Sequence, residues 1–96
     1  MDQEKPKGSI HRWRARVVKG FANHRRIEVM EMLDKTPELT LSDIVKRVRS
    51  DYQTIAHHVQ KLEAAGLVLK WHDGAYVRHK LSPLGRRILA FLHALR

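Results

Sequence analysis

Side chains with hydrogen-bonding groups gather in the segment that begins at Ser50. Tyr52, Gln53, Thr54 and His57 lie within two helical turns of one another, and none of them is acidic. At the start of a helix, a glutamine can make two hydrogen bonds to adenine, a threonine offers a hydroxyl and a methyl, and a histidine one turn later can donate to guanine. Tyr52 could contact a base or a phosphate. Without any ligand, Gln53 and Thr54 could instead only cap the helix, and His57 could be a solvated surface residue.

Positively charged side chains flank this segment. They suit phosphate groups better than bases, because phosphate contacts fix the register of a protein on DNA without reading its sequence. The candidates are Arg49, Lys61, Lys70, Arg78 and Lys80. Lysine and arginine number 19 against 10 acidic residues, which gives a formal charge of +9. Such a balance is typical of proteins that bind nucleic acid, here double-stranded DNA.

Metal chemistry has little support in the composition. The 96 residues include no cysteine, which excludes disulfides, thiolate metal sites and cysteine nucleophiles. Among the histidines, His57 and His58 would point about 100° apart on a helix and cannot easily share one ion. His11 and His93 could meet across a dimer and add a pH-sensitive contact. We expect no metal and no other cofactor.

Catalysis and membrane insertion also lack a signal. No serine, histidine and aspartate arrangement, glycine-rich phosphate loop or paired carboxylates stand out, so we do not expect an enzyme. No apolar run approaches the roughly 18 residues that a membrane span needs. The polar start, MDQEKPKG, is unlike a signal peptide. We expect a cytoplasmic location and no membrane partner.

The spacing of apolar residues predicts five helices, and capping signals precede the last four. The first spans Ser9 to Phe21. The second follows Asn23 and buries Ile27, Met30 and Leu33, with Val29 and Met32 at its edges. The third follows Thr40 with Asp43 three residues on, the fourth starts after Ser50 or Asp51 and runs to Gly66, and the last begins at Ser82 and Pro83.

Two strands flank Asp73-Gly74, and both carry their apolar residues at odd positions. A two-residue turn would pair odd with even positions and put the two apolar rows on opposite faces. We therefore predict a three-residue loop, residues 72–74, with Gly74 left-handed. Leu69 would then pair with Val77 on the core side. The other face would carry Lys70, Tyr76, Arg78 and Lys80.

These elements resemble a known family. FANHRRIEVMEML is similar to the second helix of ArsR-type winged helix-turn-helix repressors, and TIAHHVQKLEAAGLV to their recognition helix and its exit. Arg49, Ser50 and Ala75 depart from the family pattern, which usually has glycine, an apolar residue and often arginine there. We expect a mainly α fold with a small β-hairpin, ordered as four helices, two strands and a helix. Residues 1–8 would be a disordered arm and 9–96 one domain, with the helix-turn-helix at 40–65 and the wing at 67–81.

The resemblance implies a homodimer, joined through helices 9–21 and 82–95, that binds a palindromic site with the fourth helix in the major groove and acts as a repressor. The wide apolar faces of the two outer helices suit a dimer independently. Members of the family often sense metals through cysteines of the third helix or acidic and histidine pairs of the last, and neither set is present. The candidate interface residues are Ile10, Trp13, Val17, Leu84, Ile88, Phe91, Leu92 and Leu95.

Two other functions fit the same residues. A charge of +9 on so small a chain also suits a general architectural protein that coats duplex DNA. A winged helix can also bind another protein through its polar helix face, with the charge incidental. Competition by random DNA would separate the first alternative from sequence-specific binding, and failure to bind any DNA at low salt would favour the second.

Overall fold

The computed structural model describes residues 8–95, so the predicted disordered arm lies, apart from Gly8, outside the described residues. The predicted mainly α class with five helices is confirmed, and one short strand is added before the third helix. The elements are α1 (Ile10–Phe21), α2 (His24–Lys35), β1 (Leu39–Thr40), α3 (Leu41–Val48), α4 (Tyr52–Ala64), β2 (Val68–Asp73), β3 (Tyr76–Leu81) and α5 (Pro83–His93).

The predicted helix starts carry the capping bonds that their sequences indicate. Asn23 accepts from two backbone amides of α2, and Ser82 accepts from Gly85 N with Pro83 in the first helical turn. At α3, Thr40 and Asp43 form a reciprocal capping box, with N to O distances of 3.0 and 3.2 Å. These bonds to Thr40 hold the pKa of Asp43 below its ordinary value.

The core surrounds α2, which packs against α3, α4, α5 and β3. Val29 is fully buried with Met30 and Leu33, whereas Ile27 is only partly buried. The prediction that Ile27 lies on the buried face and Val29 at its edge is therefore wrong. A helix covered on several sides buries a wider face than the single stripe assumed from periodicity.

The strands form one antiparallel sheet in the order β1-β3-β2. β1 pairs Leu39 with His79 and Thr40 with Arg78, and this strand was not predicted. Two residues are too short for an alternation of apolar and polar positions to be visible in the sequence. Its pairing ties the segment before α3 to the wing, which comprises β2, β3 and the turn between them.

The predicted register of the wing is wrong. Asp73 pairs with Tyr76, so the loop has two residues, and His72 rather than Leu69 pairs with Val77. Gly74 is left-handed as predicted, with φ of 63°, whereas Ala75 does not have a positive φ. A positive φ at the first central residue alone is typical of a type II′ turn, whose twist suits a two-residue hairpin.

The end of α4 decides which residues of β2 face inward. Leu67 N donates to Leu62 O and Gly66 N to Glu63 O, both at 2.9 Å, which is a Schellman motif with Gly66 left-handed. This termination buries Leu67 and then Val68, leaving Leu69 44% exposed. The residue of β2 that faces the core is therefore Val68, at an even position, whereas the sequence predicted that the odd positions face the core.

Candidate nucleic-acid interface

Asp51 positions the start of α4. Its carboxylate accepts from Thr54 N at 3.0 Å and from the Thr54 hydroxyl at 2.7 Å. These two bonds lower the pKa of Asp51. Of the two caps left open by the sequence, Asp51 rather than Ser50 is therefore the N-cap. The Thr54 hydroxyl donates its hydrogen to the cap, so this side chain can offer a base only an accepting oxygen and its methyl.

One face of α4 is held by the core and the opposite face is exposed. Ile55, Val59 and Leu62 are at most 2% exposed, and they anchor the helix against the rest of the domain. Every contact predicted on α4 has an exposed side chain, and Gln53, His57 and Lys61 form a row along the helix. The exposed polar side chains of α4 are Tyr52, Gln53, Thr54, His57, Gln60 and Lys61.

Gln53 and His57 are available for a partner. Within residues 8–95, the Gln53 amide and the His57 ring make no hydrogen bond, and both side chains are exposed. Tyr52, at 54% exposed, lies at the very start of the helix. A rigid helix that presents a free amide, a free imidazole and a phenol at its first two turns has the chemistry for base contacts.

The turn before α4 carries Arg49 in a left-handed conformation, with φ of 57° and ψ of 47°. Glycine adopts this conformation without steric cost, whereas residues with a Cβ do so rarely. Arg49 therefore has the backbone conformation that glycine, the residue usual here in ArsR-type proteins, would adopt more easily. It exposes a positive charge close to the start of α4.

Arg78 is engaged within the wing. Its Nε donates to Asp73 Oδ2 at 2.7 Å and its Nη1 to Glu38 O at 3.2 Å, while the guanidinium lies 5.3 Å from the centre of the Tyr76 ring. The hydrogen bond to Asp73 raises the pKa of Arg78. Arg78 lies on the outer face of the wing, as predicted, but its charge is paired with the Asp73 carboxylate.

Lys70 and Lys80 lie on different faces of the wing. Lys70 shares the face of His79 and pairs with Glu63 on α4 at 3.4 Å, so its predicted place beside Arg78 and Lys80 is wrong. The cause is the shifted hairpin register, which reverses the faces of β2. Lys80 is exposed on the outer face, with Nζ 5.4 Å from the Trp71 ring centre. The exposed and unpaired members of the predicted phosphate set are Arg49, Lys61 and Lys80 within residues 8–95.

His79 links the wing to the helix-turn-helix, a role that the sequence did not indicate. The ring is 4% exposed, with Nδ1 3.0 Å from Leu39 O and Nε2 3.6 Å from Glu63 Oε2. It joins β3 to β1 on one side and to α4 on the other. The odd-numbered apolar row of β3 predicts that residue 79 points inward, but only the three-dimensional contacts reveal its partners.

α1 and α5 expose apolar side chains. Ile10 of α1, Phe91 of α5 and Leu95, two residues beyond α5, are 41%, 57% and 61% exposed. Trp13, Leu84, Ile88 and Leu92 are partly buried against the core. Val17, predicted as an interface residue, is 6% exposed and belongs to the core, because α1 packs against α4 there.

Other chemistry finds little support in the part of the chain that the structure describes. No group of three or more histidine or acidic side chains gathers there in an arrangement that could hold a metal ion. The meeting of His11 and His93 across a dimer stays a prediction, and His93 lies 3.1 Å from Glu31 in the same chain. No described helix is long and apolar enough to cross a membrane.

Comparison with known proteins agrees with this geometry. Residues 23–68 match the winged helix-turn-helix DNA-binding family. The homodimeric winged helix-turn-helix DNA-binding domain of a possible ArsR-family transcriptional regulator from Mycobacterium bovis is 23% identical, with a TM-score of 0.83 over 99% of this chain and 88% of that one. The transcriptional repressor PagR of Bacillus anthracis is 18% identical, with a TM-score of 0.77 over 85% of this chain and 94% of that one.

A mutant of Staphylococcus aureus MepR bound to an oligodeoxyribonucleotide is 15% identical, with a TM-score of 0.73 over 88% of this chain and 68% of that one. No curated protein matches the sequence significantly. The resemblance predicted from the sequence is thus confirmed, since the family match covers α2, α3 and α4 and the structural likeness extends to the wing and the outer helices. The chain has the winged helix-turn-helix fold, and its residues 23–68 match the DNA-binding family of that name.

Proposed function

We propose that this protein is a sequence-specific transcriptional regulator that binds a palindromic DNA site as a homodimer and represses transcription. One observation carries the proposal: the exposed row on α4 presents an unpaired amide at Gln53 and an unpaired imidazole at His57 on a helix anchored by buried residues. A helix held in this way can enter the major groove with its N-terminal turns against the bases. Gln53, His57, Tyr52 and the methyl of Thr54 would read bases.

Phosphate binding would be shared unequally among the cations. Arg49, Lys61 and Lys80 are exposed and free of acidic partners within the described residues. Arg78 and Lys70 must first leave Asp73 and Glu63. Surface ion pairs contribute little, so DNA phosphates can compete for both side chains.

The homodimer is supported by the exposed apolar side chains of α1 and α5 and by the homodimeric Mycobacterium bovis domain. A second copy would cover Ile10, Phe91 and Leu95, which otherwise face water at 41% to 61% exposure. A two-fold dimer places two copies of α4 about one helical turn of DNA apart, which is the geometry of a palindromic site.

Repression is supported by the likeness to PagR. A regulator of this kind would act in the cytoplasm, without a cofactor and without catalysis.

The test is selection of bound sequences from a random DNA pool, with wild-type protein and with Gln53→Ala. We expect wild-type protein to enrich an inverted repeat with half-sites roughly 10 base pairs apart. Gln53→Ala should lose preference at one position of each half-site and keep the others. Binding without any enriched sequence would point to an architectural protein. Absence of binding at low salt would point to a protein-interaction domain.

A further inference from the structure

A basic cleft lies where α1, α2 and α4 meet. Of its residues, only Lys61 was among the predicted DNA contacts. Arg16 and Lys19 of α1, Arg26 of α2 and Lys61 of α4 line it, and its volume is about 280 Å³. Three helices thus bring four cationic side chains around one concave surface. No acidic side chain lines it.

Small residues form the floor of this basic cleft. Gly20 of α1 is buried, and a Cβ added there would clash with the Cβ of Ala65 on α4. The two helix backbones therefore approach closely at this point. Because Gly20 and Ala65 have almost no side chain, the space between the long cationic side chains stays open.

The positive charges of the basic cleft are not balanced by acids. Within residues 8–95, none of its four cations takes part in a salt bridge, whereas Arg25, Lys70 and Arg78 all do. Arg26 Nε is buried without a hydrogen-bond partner in that part of the chain. Like charges held together repel one another, and an anion placed among them relieves the repulsion.

The basic cleft also continues the exposed face of α4. Gln53, His57 and Lys61 are spaced by four residues, so they form one row along the helix. The row starts with the candidate base contacts and ends at the cleft. A DNA backbone that follows this row past Gln53 would reach Lys61 and the cations of α1 and α2.

We propose that the basic cleft binds a phosphate group, and that in the DNA complex this is a backbone phosphate flanking the bases read by α4. The DNA source of the phosphate rests on the function proposed above. Arginine recognises phosphate through paired N–H groups, and lysine adds a compact charge. Arg16, Lys19 and Arg26 thereby become part of the DNA-binding surface.

Two double variants test this site with matched charge. Arg16→Gln with Lys19→Gln removes two cations of the cleft, whereas Arg12→Gln with Arg14→Gln removes two exposed cations of the same helix outside it. The affinity for a random-sequence duplex is measured over a range of salt concentrations. We expect the cleft variant to bind several-fold more weakly, with a log–log salt slope about 0.9 shallower for each phosphate that it no longer neutralises. The control should stay close to wild type.

A second measurement separates the two sources of phosphate. Wild-type protein without DNA is titrated with pyrophosphate at constant ionic strength, and the amide NMR signals of Gly20, Ala64 and Ala65 are followed. Saturable shifts that are absent from the cleft variant, together with unchanged DNA binding, would assign the cleft to a free phosphorylated molecule and overturn the backbone contact. Equal salt slopes for both double variants, with no such shifts, would overturn the site itself.

Duplex binding by the wild-type protein distinguishes failure of the proposed function from failure of the cleft proposal. If it binds no duplex at low salt, the proposed function fails, and the pyrophosphate titration alone decides whether the cleft binds phosphate. If it binds duplex and the two double variants behave alike in both measurements, the proposed function stands and the cleft has no part in it.

Discussion

Arg78 donates from Nε to Asp73 Oδ2 at 2.7 Å, and the two residues are diagonal neighbours on the outer face of the wing. Opposite charges at such cross-strand positions stabilise a hairpin modestly. They also place an acid where a DNA phosphate would compete for the same guanidinium. If Arg78 binds a DNA phosphate as proposed, the strength of its contact with Asp73 will affect the affinity for DNA.

Removing the acid should strengthen DNA binding. With Asp73→Asn, Arg78 keeps its place but loses its charged partner, so we expect tighter binding to any duplex and a salt slope steeper by about 0.9. Arg78→Ala should do the opposite for all sequences. Asp34→Asn, which removes an exposed acid of α2, is the charge control. Equal effects of the two asparagine variants would show that Asp73 does not restrain Arg78.

Replacing Arg49 should separate stability from DNA binding. Its left-handed backbone, with φ of 57°, is strained for any residue with a Cβ. Arg49→Gly should therefore raise the free energy of unfolding by about 1 kcal/mol and yet weaken DNA binding through loss of the charge. Urea unfolding and duplex titration measure the two effects. Arg49→Ala should lose the same affinity without the gain in stability, and a gain with alanine would contradict the strain.

His58 should make stability depend on pH. Burial lowers its pKa, and the positive charges of Arg26, His57, His24 and Arg25 lower it further. The folded protein therefore favours the neutral ring, while the unfolded chain takes up a proton near the ordinary value of 6.5. Stability is thus lost as pH falls below that value.

Unfolding at a series of pH values from about 5 to 8, at one protein concentration, measures this dependence. His58→Gln should flatten the fall in stability between pH 6.5 and the lowered pKa of the folded protein. His72→Gln, at an exposed position of the wing, is the control and should leave the fall unchanged. A slope that persists in His58→Gln would show that another group causes it.

A charge on the exposed face of α5 should separate the subunits. Phe91 is 57% exposed, so Phe91→Glu should leave the fold intact while burying a carboxylate in the proposed interface. We expect the dimer to dissociate at concentrations where wild type remains paired, as measured by sedimentation. DNA affinity should fall with it, since two half-sites no longer act together. Ala90→Glu, at a neighbouring exposed position, should remain dimeric, and loss of the dimer in both variants would not support this interface.

Helix caps were predictable because each depends on a single side chain and the backbone beside it. Asn23, Thr40 and Ser82 cap their helices because short polar side chains can bond the free amides of a first turn, and this depends only on neighbouring residues. The exposed polar row of α4 follows in the same way from helical periodicity. The wing register was not predictable in this way, because Leu67, Val68 and Leu69 are all apolar and alternation cannot choose between them.

The sequence by itself determined the excess of positive charge, the five helices and the caps at Asn23, Thr40 and Ser82, because helices and caps depend on contacts within a few residues. Only the structure showed that Asp51 caps α4 and that Gln53 is free of this role. Only the tertiary structure decided that Val68 faces the core, that Arg78 is held by Asp73, that His79 joins the wing to α4, and that cations from three helices meet in one cleft. These relationships join residues from different elements, and packing selects them only when the whole chain has folded.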